Sequence, residues 1–187
     1  MKINQKIFVI LFVMLALFEI AFSQNKQDKK GKGNNPETAM IDSCVMIIAA
    51  DSSLMEKSTE LKGVEKGNTS AYYDASGNIL RLVKSTRPVA GDKTITYYFK
   101  DNNLVQSHHF EKNKLKKKGK IVYSHTIHYF MGSKLISSKQ KSVTLKPKDE
   151  AIAESKLAKA KYKSFAANTN IYRDELAVIK KMKAAIK

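Results

Sequence analysis

Hydrophobic and polar positions follow successive patterns along this chain of 187 residues. An unbroken apolar run occupies residues 7–18. Apolar residues then recur at helical spacings of three and four over residues 36–62. Short runs of β-branched and aromatic residues, separated by turn residues, fill residues 70–145, and helical spacing returns over residues 149–187. After the first run, this order predicts helix, then sheet, then helix.

The first apolar run has the layout of a secretory signal peptide. Lys2 and Lys6 precede it, and the small residues Ala21 and Ser23 follow it at the spacing that a signal peptidase accepts. We therefore expect cleavage after Ser23 and export to a bacterial periplasm or cell surface. A retained membrane anchor is the alternative, but twelve helical residues span only about 18 Å of a hydrocarbon core about 30 Å thick. Cys44 lies too far beyond the run for lipid attachment, so a lipoprotein is not expected.

The segment that follows is predicted to be a leader and then a helix. Residues 24–35 contain no apolar side chain and are expected to form a flexible basic leader. Asn35-Pro36-Glu37 favours a helix start, because asparagine caps well and proline suits the first helical position. The helical segment is extended to residue 62, with Asp51-Ser52-Ser53 either continuing it or dividing it into two helices.

Six strands are predicted in the middle of the chain. Their bounds are 70–74, 79–86, 93–100, 103–111, 120–130 and 134–145. Because every connection between them is short, strands that are consecutive in sequence should pair as an antiparallel meander.

Three segments of nine residues in this region align without gaps: Tyr72–Leu80, Tyr97–Val105 and His128–Ile136. Each has two adjacent ring side chains, a turn of Gly, Asn, Asp or Ser, and two aliphatic residues, which is typical of one β-hairpin. The pattern resembles the hairpin repeats of MORN-type and YD-type proteins. That resemblance implies hairpins and a binding role, and it implies no functional residue. The copies start 25 and then 31 residues apart, which favours three hairpins in one curved sheet over a rigid solenoid.

The C-terminal segment is predicted to form two amphipathic helices. One begins after Asp149, a suitable N-cap, and the other carries Tyr172, Leu176 and Ile179 on one face. The predicted fold class is therefore α+β, with residues 36–187 as one domain. A six-stranded antiparallel meander is expected to be covered on one face by the N-terminal and C-terminal helices, with the other face partly open.

Net charge narrows the choice of partners. The chain has 34 Lys+Arg and 17 Asp+Glu, which include Lys2, Lys6 and Glu19, so residues 24–187 hold 32 against 16 and a net charge of +16. Arginine, which base-edge recognition favours, is rare, whereas lysine suits diffuse contact with polyanions. Together with export, this predicts an anionic envelope component as partner and argues against genomic nucleic acid. The alternative is that the lysines only keep the protein soluble.

Six lysines are concentrated at the tip of the hairpin that joins the fourth and fifth predicted strands. They are Lys112, Lys114, Lys116, Lys117, Lys118 and Lys120. We expect this basic hairpin to bind a polyanion with strong salt dependence. The alternative is a solvated tip that protects the sheet from edge-to-edge aggregation.

Tyrosines are numerous on the predicted strands. The residues Tyr72, Tyr73, Tyr97, Tyr98 and Tyr129 are predicted to supply an exposed aromatic surface for sugar rings or a partner protein. Their alternative use is cross-strand pairing within the sheet.

The four histidines lie on the strands that flank the basic hairpin. Alternation places His108 and His109 on opposite faces, and His125 and His128 likewise. At most two histidines can then converge, with Glu111 as the third candidate on the face of His109. A metal site needs three or four ligands, so no metal and no cofactor are predicted.

The sequence predicts a class of function without identifying the ligand. It contains no Gly-rich phosphate loop, nucleophile elbow or zinc-protease helix. The single cysteine, Cys44, has no partner for an internal disulfide and no base in its own segment. We therefore expect an exported, non-enzymatic binding protein. The alternative is an inhibitor or immunity-type protein that binds a partner enzyme, and the oligomeric state is open.

Overall fold

The structure is a computed structural model that describes residues 35–61, 66–87, 91–115 and 119–186. Residues 36–187 form one compact unit. The predicted signal peptide and nearly all of the predicted leader lie outside the described residues.

Within the described residues the fold is α+β, with three α-helices and an antiparallel sheet. The helices are α1 (Pro36–Ala50), α2 (Ala153–Lys159) and α3 (Ile171–Ala185). The strands are β1 (Met55–Leu61), β2 (Gly67–Tyr73), β3 (Ile79–Thr86), β4 (Gly91–Lys100), β5 (Asn103–Leu115), β6 (Lys120–Met131), β7 (Lys134–Leu145) and β8 (Lys163–Ser164). A 3₁₀-helix, Pro147–Ile152, connects β7 to α2.

The sheet is a meander, in which each strand pairs antiparallel with the next from β1 to β8. The predicted antiparallel meander is therefore confirmed, and the six predicted strands correspond to β2–β7. The predicted count of six is wrong because the described sheet has eight strands. Both additional strands, β1 and β8, are at the edges of the sheet. An edge strand pairs on one side only, so its residues need not show the strong apolar pattern of a central strand.

The prediction that helix extends to residue 62 is wrong, because the first additional strand, β1, occupies Met55–Leu61. The side chain of Asp51 accepts hydrogen bonds from the backbone N–H of Ser53 at 2.9 Å and from its hydroxyl at 2.6 Å. This turn follows the end of α1 at Ala50, and the chain then pairs with β2 from Met55 onwards. Most of β1 is exposed, so its sequence lacks the apolar alternation that marks a half-buried strand.

The three aligned segments form the β2–β3, β4–β5 and β6–β7 hairpins. Their turns contain residues with positive φ: Gly77 in the first, Asp101 and Asn102 in the second, and Gly132 in the third. In each hairpin the strand register shifts within the aromatic pair or directly after it. The sequence repeat is therefore also a structural repeat, which includes a β-bulge in each copy.

Helices pack against both faces of the sheet, so the predicted single covered face is wrong. Tyr97 packs in the cluster that contains the α3 residues Ile179 and Met182. The neighbouring residue Tyr98 points to the opposite face and packs with Ile41 of α1. Helix α2 lies on the α1 side, because its Leu157 packs with residues of β6 whose alternation matches that face.

The C-terminal segment departs from the predicted pair of helices over residues 149–187. A 3₁₀ turn precedes α2, and α2 is short and ends at Lys159. The chain next forms β8, where Phe165 donates its backbone N–H to the carbonyl of Ser138 at 3.1 Å. The second predicted helix is present as α3. This strap of residues 160–170 carries the chain past the edge of β7 before α3 covers the other face.

Candidate functional site

The basic hairpin is only partly described, because Lys116, Lys117 and Lys118 lie outside the described residues. Lys112 is already paired: its Nζ lies 2.6 Å from Oε1 of Glu150 and 3.6 Å from Oδ2 of Asp92. Lys114 and Lys120 line a surface cavity that Glu150 also lines. The carboxylate of Glu150 therefore reduces the positive potential at the base of this hairpin.

A second basic feature lies at the β7–β8 edge, where a cleft of about 200 Å³ opens. Three lysines line it: Lys141 from β7, Lys161 from the strap, and Lys163 from β8. The remaining lining residues are Gln140, Ser142, Ser164 and Phe165. We call this the lysine cleft. Among the residues that the structure describes, its lining contains hydrogen-bond donors and three cations and contains no carboxylate.

The lysines of this cleft differ from other lysines in their electrostatic surroundings. Among the residues that the structure describes, no carboxylate is within ion-pair distance of Lys141, Lys161 or Lys163. In contrast, Nζ of Lys139 lies 3.6 Å from Oδ2 of Asp42. Lys141 is held over the ring of Tyr162, with its Nζ 4.7 Å from the ring centroid. A cation positioned by a ring but not neutralised by an acid is available for an external anion.

The predicted aromatic surface is wrong for three of its five members. Tyr97, Tyr98 and Tyr129 are 0%, 8% and 1% exposed. They are buried because α1 and α3 cover opposite faces of the sheet, whereas the sequence predicted that one face would stay partly open. Tyr72 and Tyr73 are partly exposed, and the guanidinium of Arg81 lies 3.9 Å from the centroid of the Tyr72 ring.

Each face of the sheet contains a pair of histidines. His108 and His125 lie on the α1 face with ring centroids 5.1 Å apart. His109 and His128 lie on the α3 face at 5.5 Å. The structure thus brings together two pairs, as the alternation of side chains along β5 and β6 requires.

On the α1 face, polar side chains from several elements complete a network. The carboxylate of Asp42 accepts hydrogen bonds from the Gln106 amide at 2.8 Å and from the Tyr129 hydroxyl at 2.9 Å. Nε2 of His108 lies 2.6 Å from Oε1 of Gln106, and the Tyr162 hydroxyl lies 2.7 Å from Nδ1 of His125. These contacts fix α1 and the strap to the same face.

On the α3 face, the centre of the network is Glu175, which is only 3% exposed. Its Oε2 accepts a hydrogen bond from the Tyr97 hydroxyl at 2.7 Å, and its Oε1 accepts one from the Ser107 hydroxyl at 2.9 Å. Nε2 of His109 lies 2.6 Å from the same Oε1. His128 completes the group, with Nδ1 2.8 Å from Oγ of Ser138.

The protonation of this group follows from its surroundings. Burial raises the pKa of the Glu175 carboxyl, but the hydrogen bond and charge of His109, with the hydrogen bonds from Tyr97 and Ser107, outweigh burial and leave that pKa below its ordinary value. Burial lowers the pKa of His128 to about 4, and the nearby His109 acts in the same direction. An ionised carboxylate therefore lies beside a neutral imidazole at neutral pH.

Glu111, the acid predicted on the face of His109, is not the acid of this group. Glu111 forms an ion pair with Lys93 at 2.8 Å, and Glu175 occupies the third position beside His109 and His128. A signal for Glu175 was present, since it interrupts the apolar stripe of α3 between Ile171 and Ile179. A carboxylate in the buried stripe of an amphipathic helix must find polar partners, because a buried charge without them is very costly.

Comparison of the chain with protein-family models, with curated proteins and with solved structures finds no match. Within the described residues, none of the helices combines the length and the apolar character that crossing a membrane demands. Two features of the described residues bear on function: the lysine cleft, and the buried group of His109, His128 and Glu175.

Proposed function

We propose that this protein is an exported, non-enzymatic binding protein whose ligand is an anionic component of the bacterial envelope, held in the lysine cleft. The observation that carries the proposal is the convergence of Lys141, Lys161 and Lys163 on one cleft without a carboxylate in its lining. The residues come from both sides of the β7–β8 pairing, so the fold itself brings them together.

The chemistry of the cleft favours phosphate or carboxylate groups. Lysine ammonium groups act as point charges for such anions, and the hydroxyls of Ser142 and Ser164 supply neutral donors beside them. The overall charge of the chain, 34 basic against 17 acidic residues, adds a long-range attraction that raises the rate of encounter with an anionic surface. The signal-like N-terminal pattern supports placing this encounter outside the cytoplasm.

The proposal predicts salt-sensitive binding that depends on the cleft. Protein expressed from the full chain should co-sediment with isolated cell envelope, and the bound fraction should fall steeply between about 50 and 200 mM salt, because lysine–anion contacts release counterions. Replacing Lys141, Lys161 and Lys163 with glutamine should weaken binding by roughly tenfold or more at the lower salt concentration.

A matched variant separates the cleft from net charge. Glutamine at Lys100, Lys180 and Lys181, which are exposed and lie outside the cleft, removes the same three charges and should weaken binding far less. A third variant with all six lysines of the basic hairpin replaced tests that surface independently. Equal losses in the two three-lysine variants would reduce the effect to net charge and reject the cleft as the site.

A partner protein is the second candidate, and the outer side of α1 favours it. Met40, Met46 and Ile47 are 57%, 65% and 72% exposed, so this helix presents apolar side chains outward as well as inward. Exposed apolar side chains grouped on one element are typical of protein interfaces. Binding to envelope that is indifferent to salt and to both lysine variants would support this candidate and contradict the first.

A further inference from the structure

The buried group on the α3 face has the composition of a metal centre. One ligand atom from each of His109, His128 and Glu175 lies within 4.8 Å of the others. In a tetrahedral zinc site with bonds of about 2.0–2.2 Å, neighbouring ligand atoms are about 3.4 Å apart. The three side chains therefore need to move by about 1 Å or less to surround one ion.

The three side chains come from three elements that are packed together. His109 lies on β5 and His128 on the adjacent strand β6, while Glu175 is on α3, whose Ile179 and Met182 are anchored in the core beneath. Such a site is assembled only when α3 docks on the sheet. Binding of an ion would consequently stabilise the folded arrangement, since the unfolded chain has no preformed site.

Surrounding residues hold the ligands as outer partners do in metal centres. The hydroxyls of Tyr97 and Ser107 donate to the two oxygens of Glu175 and so orient the carboxylate. Oγ of Ser138 lies 2.8 Å from Nδ1 of His128, so coordination through Nε2 of that ring preserves this hydrogen bond. The ion would replace one contact, the 2.6 Å approach of Nε2 of His109 to Oε1 of Glu175.

The site is shielded from solvent but lies next to an open cavity. Exposure is 3% for Glu175 and 6% for His128. The ring of Phe165, which is 42% exposed, lies 6.1 Å from the His128 ring, centroid to centroid. Phe165 and Ser138 also line a surface cavity of about 490 Å³, so movement of the Phe165 side chain supplies a route for an ion.

We propose that His109, His128 and Glu175 bind a divalent transition-metal ion, with zinc as the best match to two imidazoles and one carboxylate. Two histidines and one glutamate are three protein ligands of the kind that zinc takes, with a fourth position left for water or another group. The site lies on the α3 face, and none of its three ligands lines the lysine cleft, so either proposal can fail without the other.

Calorimetric titration of the chelator-treated protein, expressed from the full chain, with ZnCl₂ tests this proposal. We expect one zinc ion per chain and a higher thermal midpoint with zinc present. Glu175→Gln and His128→Gln should each weaken binding by at least roughly a hundredfold, because each removes a ligand. His125→Gln is the matched control: it makes the same replacement on the same strand, but on the opposite face, and it should leave the affinity unchanged.

A second measurement keeps the test decisive if a ligand variant does not fold. In the unaltered protein, zinc should shift the NMR signals of the His109 and His128 rings and leave those of His108 and His125 in place. Failure to bind one equivalent, binding that survives both ligand variants, or zinc-dependent shifts confined to the other two histidines would each overturn the proposal.

Discussion

Glu175→Ala is expected to lower the free energy of unfolding of the metal-free protein by about 3–5 kcal/mol, the range for breaking a buried polar pair by removing one partner. The carboxylate accepts hydrogen bonds from Tyr97 and Ser107 and contacts His109, and all of these groups lie beneath α3. Without Glu175 they lose their partner in a site that excludes water, and each unsatisfied group adds to the cost. Urea denaturation followed by circular dichroism measures the change.

Two further variants show whether the loss comes from this network. Glu175→Gln keeps the shape and one acceptor oxygen, so it should cost clearly less than the alanine variant. Asp174→Ala, at the preceding exposed position, removes the same charge type outside the network and should cost under about 1 kcal/mol. If Glu175→Ala were as stable as Asp174→Ala, the contacts of Glu175 would not hold α3 on the sheet.

Acidification from pH 6.5 to pH 4 in the presence of a chelator is expected to remove on the order of 3–6 kcal/mol of stability. His108 and His128 carry most of the effect, because the folded protein lowers the pKa of both to about 4, and the lowered pKa of His125 acts in the same direction. The unfolded chain takes up protons near pH 6.5 and the folded protein does not, so stability is full above pH 6.5 and falls as the pH decreases towards 4. Each histidine accounts for about 3 kcal/mol at most, less where the ring borders solvent.

Several groups around His108 act on its pKa. Burial is the largest cause of its lowered pKa, His125 and Lys139 act in the same direction, and Asp42 opposes them. The Asp42 carboxylate favours the protonated ring, but burial and the nearby positive groups outweigh it, so the pKa of His108 is lowered.

The surroundings of His128 also lower the pKa of its ring. Burial lowers its pKa first, His109 adds to that effect, and Glu175 opposes it. The lowered pKa of Glu175 itself adds a further loss once the pH falls below the ordinary range of a carboxyl group.

Denaturation midpoints across the pH range, with NMR titration of the individual rings, test the acid response. His128→Gln should flatten the dependence of stability on pH, because it removes one of the histidines that take up a proton more readily in the unfolded chain. A constant stability between pH 7 and pH 4, or ring titrations near pH 6.5 in the folded protein, would contradict the prediction.

Much of the sheet was predictable from local patterning. The repeated order of ring side chains, turn residues and aliphatic residues marks Tyr72–Leu80, Tyr97–Val105 and His128–Ile136 as hairpins, because turn chemistry acts over a few residues. The structure places all three as hairpins. In contrast, β1 and β8 are edge strands that pair with β2 and β7, and their own residues carry little strand signal.

The candidate sites were less predictable, since they depend on contacts between distant segments. The alternation of side chains was enough to separate His108 from His109, but nothing local indicates that Glu175 would meet them from α3, 66 residues beyond His109. The lysine cleft depends in the same way on the strap, which brings Lys161 and Lys163 back to Lys141. Only folding joins these residues, because their separation in sequence exceeds the reach of any local pattern.

By itself the sequence determined the α+β class, the antiparallel meander of its middle segment and the excess of lysine, because periodicity, turn residues and charge act locally or by simple addition. Tertiary structure alone decided that α1 and α3 cover opposite faces, that three of the predicted surface tyrosines are buried, and that Glu175 lies with His109 and His128. Burial on both faces of one sheet depends on helices that come from distant segments of the chain, so the sequence of a single segment does not predict it.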